Sequence, residues 1–150
     1  MADLISIAEA RERVLAAVRP LPAEDVPLEA ALGRVLAEEA RSEGDLPPFD
    51  SSAMDGYALM AGPAADLPVV GESRAGSPAA GALREGEAMR ISTGAAVPDG
   101  ADAVVPVERA EVLDGGTRVR VPNTQPGAHI RRAGEDMPAG RRVIAAATEL

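Results

Sequence analysis

From Asp45 to its end this chain is punctuated by glycine and proline, which leave only short β-like runs between them. The runs are Ala58–Met60, Leu67–Gly71, Ala88–Ser92, Ala103–Val107, Val112–Leu113, Arg118–Val121 and Arg142–Ile144. Proline removes a ladder donor, and glycine has no side chain to pack on a sheet, so each such residue tends to end a strand. Asp114-Gly115-Gly116, between two of the runs, predicts a β-hairpin. Ala61–Ala65 and Gly76–Ala82 read as small-residue loops, and no internal repeat is present. Many short strands with frequent turns predict a mainly β domain, irregular rather than a repeating barrel.

The first residues follow a different rule. Ser6-Ile7-Ala8-Glu9 is a capping-box pattern, with Ser6 at the N-cap and Glu9 three residues on. Ile7, Ala10, Val14, Ala17 and Val18 then recur at helical spacing, and Pro20 and Pro22 stop the pattern. This predicts a helix from Ile7 to about Arg19, whose apolar stripe packs on the chain's own core or on a partner. Glu29–Leu32 suits a helical turn interrupted by Gly33, and Val35–Ala40 suits helix or strand. The fold class is α+β, mainly β: an N-terminal helix followed by an irregular β-rich domain of short strands.

Composition narrows the chemistry. The 150 residues contain no cysteine, which excludes disulfides, thiolate nucleophiles and cysteine-ligated zinc. His129 is the only histidine, too few for the imidazoles of a typical catalytic zinc site. All 15 cationic side chains are arginine, which excludes a lysine Schiff base and a P-loop lysine; coding bias accounts for this usage more simply than function does. Carboxylates, hydroxyls, arginines, backbone N–H groups or a bound ion remain. A net charge of −9 repels nucleic acid and anionic membranes. No apolar run has the length of a membrane span and no signal-peptide pattern opens the chain, so the cytoplasm is the expected location.

The only two aromatic residues, Phe49 and Tyr57, fall in one segment, Pro47-Pro48-Phe49-Asp50-Ser51-Ser52-Ala53-Met54-Asp55-Gly56-Tyr57. It reads as a stiff loop feeding a strand, with Met54 packed beneath it against both aromatics. Gly56 allows a positive φ or a close backbone approach. Asp55 at the turn is a carboxylate for an ion or an Asx-type turn-former. Thr93-Gly94 is an anion cradle of hydroxyl and N–H groups or a plain strand-end turn. Arg131, Arg132, Glu135 and Asp136 are an anion-binding loop or an internal ion-pair network. Asp102 and Glu108 read as solvated or structural.

Four stretches also carry a resemblance, in order along nearly the whole chain. Pro47-Pro48-Phe49-Asp50-Ser51-Ser52-Ala53-Met54-Asp55-Gly56-Tyr57-Ala58 resembles the signature of the MoeA family of molybdopterin molybdenumtransferases, shared with the E domains of gephyrin and the plant Cnx proteins. Glu29–Glu38 resembles the family's lead-in to this domain. Ile91–Ala95, with Pro98 and Ala101–Val105, resembles its Thr-Gly-Ala loop and the next strand. Ile130–Asp136 resembles its Arg-Arg-x-Gly-Glu-Asp loop.

The resemblance implies that 1–45 and 139–150 belong to the family's first domain and 46–138 to a β-rich domain. It implies that the chain, which stops inside an element at Leu150, is the front portion of a longer enzyme, with a larger α/β domain and a small β domain to follow. The implied activity is insertion of molybdenum from molybdate into adenylylated molybdopterin, releasing AMP, with Mg²⁺ required. Asp55, Thr93 and Asp136 are the implied catalytic residues, Asp55 being also the implied Mg²⁺ ligand. Ser92, Gly94, Arg131 and Arg132 are the implied substrate-binding residues. The family's site lies between this β domain and the large domain of a dimer partner, so the resemblance implies a homodimer and an isolated chain without turnover. A molybdopterin-adenylylating protein and molybdoenzyme targets are further implied partners. Two other readings stand beside it: a gephyrin-type scaffold or oligomerisation module, and a small Mg²⁺-dependent carboxylate hydrolase.

Overall fold

The structure, a computed structural model, describes residues 4–150. The chain divides into two compact units, one of residues up to Glu39 together with Ile144–Leu150, the other Ala40–Val143.

In the first unit the helix α1 spans Ile7–Ala17. Ser6 caps it, its Oγ accepting the Glu9 N–H at 3.2 Å. The reciprocal half of the box does not form: the Glu9 carboxylate instead accepts a bond from Arg13, one turn on, at 2.7 Å. The helix stops short of Arg19, with Val18 already extended at ψ 140; continued helix would set the Pro20 ring against the Ala16 carbonyl with no N–H to donate to it. No residue of α1 is buried, and Ile7, Val14 and Val18 are exposed. The expected helical turn is a 3-10 turn at Leu28–Ala30. After a turn at Gly33, at φ 75, the segment pairs with the chain's last residues through a bridge between Val35 and Glu149. Leu36 N–H donates to Thr148 O at 2.9 Å, Ala147 N–H to Leu36 O at 2.8 Å, and Gly33 N–H to Leu150 O at 2.8 Å. That pairing, absent from any local pattern, resolves the helix-or-strand ambiguity of Val35 and Leu36.

The second unit begins at strand β1 (Ala40–Arg41) and is followed by β2 (Ser51–Ser52), β3 (Gly56–Leu59), β4 (Ala65–Ser73), β5 (Ala88–Ile91) and β6 (Ala103–Pro106). Next come β7 (Glu111–Leu113), β8 (Arg118–Val121), β9 (Ile130–Arg131) and β10 (Arg142–Ile144), of which Ile144 falls in the first unit. Six strands form one sheet in the order β6-β3-β5-β4-β8-β7. The pairs are antiparallel except β4 with β5. β7 and β8 are the expected hairpin, turning through Asp114–Gly116. β4 runs on past its apolar run: its register against β5 shifts between Val69, opposite Ala88, and Gly71, opposite Met89, so a bulge takes up Val70 without ending the strand.

Every residue of β3 and β6 is buried. Tyr57, Leu59, Val105, Val119 and Val121 pack together in one cluster, and Ala58, Ile91, Ala95 and Val104 in a second. Burial of both sets explains why these strands read as continuous apolar runs rather than alternating ones. Gly56 is needed for the close approach of β3 to β6: a Cβ there would stand 2.0 Å from the Val105 carbonyl oxygen. Phe49 and Met54 are not buried alongside Tyr57. Tyr57 is 2% exposed, but Phe49 is 46% and Met54 37% exposed. The alternating strand sends Tyr57 into the core, while Phe49 and Met54 lie on the loop outside it.

Candidate functional site

The two-residue strand β2 brings the three singled-out motifs together. It lies between the Ser92–Val97 segment and β9, and Ser51 is paired on both sides, with Ala96 and with Arg131. Towards the first segment, Ser52 N–H donates to Ala95 O at 3.0 Å and Gly94 N–H to Ser52 O at 2.8 Å. Towards the other, Ala53 N–H donates to His129 O at 2.9 Å. The Ser52 side chain, 1% exposed, donates to Met54 O at 2.6 Å and accepts from Met54 N–H at 3.3 Å. It thereby winds the chain tightly just before Asp55.

Asp55 is not an Asx turn-former. Its Oδ1 accepts the Thr93 N–H at 2.7 Å and the Thr93 hydroxyl at 3.0 Å. Two donors aimed at one oxygen hold the carboxyl below its ordinary 3.8, the backbone bond first and the hydroxyl second. Asp55 is therefore an ionised, exposed carboxylate whose Oδ2 has no partner among the described residues. This part of the site is already negative, and its N–H groups are used internally. Thr93 donates to Asp55, Gly94 to Ser52, Ala95 to Ser92 O and Ser92 to Ser73 O. The Thr93-Gly94 turn does not present the cradle of free N–H donors that its sequence suggests. Gly94 serves the turn itself, at φ 77.

The third motif lies on the other edge of β2. Arg131 pairs with Asp136, and Arg132 Nη1 with Asp50 Oδ2 at 2.5 Å. Glu135 Oε2 accepts the Arg132 N–H at 3.0 Å and closes the turn. Gly134 N–H donates to Pro47 O at 2.9 Å and Asp136 N–H to Leu46 O at 3.0 Å. The proline-rich lead-in, poor in donors, thus acts through its carbonyls. Asp136 faces Arg131 and makes no bond to Asp55 or Thr93. Each arginine has an internal carboxylate, yet a guanidinium carries five N–H donors and the described contacts of these two side chains use one of them each.

Asp50 and Ser52 stand within the quoted segment, but nothing in their local pattern marks them as structural joints. Asp50 Oδ1 also accepts the Ala133 N–H at 2.9 Å. That bond first, and Arg132 second, hold its carboxyl below the ordinary 3.8. Asp102 proves structural, accepting the Ala61 N–H at 2.6 Å. Among the described residues no group of three acidic, histidine or cysteine side chains is placed to hold a metal ion.

The chain was compared with known proteins. It is 34% identical to a molybdopterin molybdenumtransferase of Haemophilus influenzae over 98% of its length, covering 37% of that protein. It is 41% identical to molybdopterin molybdenumtransferase 2 of Mycobacterium tuberculosis over 87% of its length, covering 33% of that protein. It spans well under half the length of these relatives. Two crystal structures of a molybdopterin biosynthesis MoeA protein from Pyrococcus horikoshii superpose on 99% of it, with TM-scores of 0.88 and 0.84 at 32% and 35% identity, and it covers 40% and 41% of those chains. The family described as "MoeA N-terminal region (domain I and II)" matches residues 5–150, and the chain belongs to that family.

Proposed function

We propose that this chain forms one wall of a molybdopterin molybdenumtransferase site, in which molybdenum from molybdate enters adenylylated molybdopterin and AMP is released. The observation that carries the reading is the Asp55–Thr93 pair: an ionised carboxylate fixed through one oxygen, with the other facing solvent. Relatives matched over nearly all of this chain bear the transferase name, which favours this reading over a scaffold or a carboxylate hydrolase.

Asp55 and Asp136 are acidic and Arg131 and Arg132 basic, so the wall carries both signs where an oxyanion and a phosphoanhydride would meet. Thr93 fixes the direction of the Asp55 carboxylate. Spare N–H donors of Arg131 and Arg132 bind phosphate oxygens, with Ser92 and Gly94 shaping the turn beside Thr93. A lone carboxylate with a free oxygen fits Mg²⁺ as one corner of a largely hydrated shell and not as an all-protein cage. Asp55 would hold the ion, which when bound neutralises developing phosphate charge. The remaining walls come from a domain outside these residues and from a second subunit. A homodimer working in the cytoplasm, receiving substrate from an adenylylating protein and supplying molybdoenzymes, fits this chemistry.

The test uses a hybrid in which this chain replaces the matching first part of the Haemophilus influenzae relative. Asp55→Asn keeps the shape and removes the charge. Transfer from molybdate should fall by about 10²-fold or more, the scale seen when a preorganised electrostatic group is lost. The thermal melt should move little. An unaltered rate in a folded Asp55→Asn hybrid excludes Asp55 from the chemistry.

A further inference from the structure

We infer that Asp50 is a positioning residue that clasps the Arg131–Asp136 loop to the Thr93 loop, setting the two halves of the proposed site in register. The inference rests on the transferase reading for its catalytic consequence and on geometry alone for the clasp.

Asp50 is bonded on two sides. Its carbonyl accepts the Val97 N–H at 2.9 Å, which holds the segment that follows Thr93. Its carboxylate reaches the other way. Oδ1 takes the Ala133 N–H at 2.9 Å, and Oδ2 takes Arg132 Nη1 at 2.5 Å. One residue thus joins segments that are more than thirty positions apart in sequence. The loop it grips is also held at its near end by the pairing of Arg131 with Ser51, and towards its far end by the carbonyls of Leu46 and Pro47, so Asp50 holds the stretch between them. It also carries Arg131 and Asp136, so its placement decides where those two side chains stand relative to Asp55.

The electrostatics agree with a clasp rather than a ligand-binding carboxylate. Both Asp50 oxygens are already engaged, whereas Asp55 keeps one oxygen free. Gripping Arg132 also turns one of its N–H groups inward and leaves the rest of the fork oriented instead of freely rotating. A fixed guanidinium loses less entropy on meeting an anion than a mobile one.

Two variants separate the roles of Asp50. Asp50→Ala removes both carboxylate contacts. Asp50→Asn keeps an acceptor for Ala133 N–H and loses the charge facing Arg132. In this 150-residue chain, amide exchange at Ala133 should accelerate at least about 10-fold in Asp50→Ala and stay close to the parent rate in Asp50→Asn, since a lost acceptor opens the bond locally. In the hybrid enzyme, kcat should fall by about 10- to 100-fold in Asp50→Ala, because a displaced loop misaligns the reacting groups. Asp50→Asn should recover most of that kcat and show a raised substrate KM. A merely stabilising role would lower the melt and leave kcat per folded molecule unchanged.

Unchanged Ala133 exchange in Asp50→Ala overturns the clasp. Unchanged kcat in Asp50→Ala, in a hybrid where Asp55→Asn is inactive, overturns the catalytic consequence and spares the functional reading. If Asp55→Asn is also fully active, the functional reading fails and the exchange measurement alone decides the clasp.

Discussion

At the residue scale, the informative contrast is between two aspartates in one short segment. Asp50 uses both oxygens and Asp55 uses one, so the first is built in and the second is presented. The bonds from Thr93 imply a specific titration. An unfolded Asp55 carboxyl titrates near 3.8 and the folded one lower. The stabilisation from these bonds is therefore complete above that pH and is lost as the pH falls through the lower folded value. Carbon-detected NMR should place the Asp55 midpoint below 3.8 in the native chain. Thr93→Val removes the hydroxyl and keeps the N–H, so the midpoint should move only part of the way back. A midpoint unmoved by Thr93→Val would mean that the hydroxyl does not bond the carboxylate in solution.

At the element scale, stability and the candidate site are separable. β3 is the strand that joins them: its first residue follows Asp55, and its side chains enter the core on both faces. Tyr57→Ala opens a void in the larger cluster and should cost roughly 3–5 kcal/mol. Phe49→Ala truncates a ring that is nearly half exposed, and should cost well under half as much. Urea midpoints of the two variants measure the difference. Equal losses would show that Phe49 is covered in solution. At the hairpin, Arg120 is bidentate to Asp66 at 2.7 and 2.9 Å and also bonds Glu111 at 2.9 Å, linking β4, β8 and β7. These groups are largely exposed, so the network adds little stability on its own.

At the scale of the whole molecule, the net charge of −9 makes anion binding a local matter. In the proposed reading, the Arg131–Arg132 pair supplies the donors that an anionic substrate would meet. In the hybrid enzyme, Arg131→Gln or Arg132→Gln should raise substrate KM about 10-fold at low salt, with a smaller ratio at high salt, as screening removes the shared charge term. Normal kinetics in both variants, with lowered melts, would leave the arginines as partners of Asp136 and Asp50 alone. Among the described residues, no helix is long and apolar enough to cross a membrane.

Local pattern alone determined the helix start at Ser6, the hairpin at Asp114–Gly116, the short apolar strands and the burial of Tyr57. Each depends on neighbours a few residues away, where capping, turn chemistry and periodicity act. The ordered motifs also marked Asp55 and Thr93 as worth weighing. Their direct contact was not legible, because it joins positions 38 apart in sequence. The strands β1, β2 and β9 were missed for a related reason. Two residues carry no period, and such a strand exists only because its partners are already in place. The exposure of Phe49 and the engagement of every N–H from Ser92 to Ala95 likewise depend on what the fold lays beside them. Tertiary structure alone decided that β2 would be the seam of the site, since hydrogen bonds between segments distant in the chain leave no trace in local sequence.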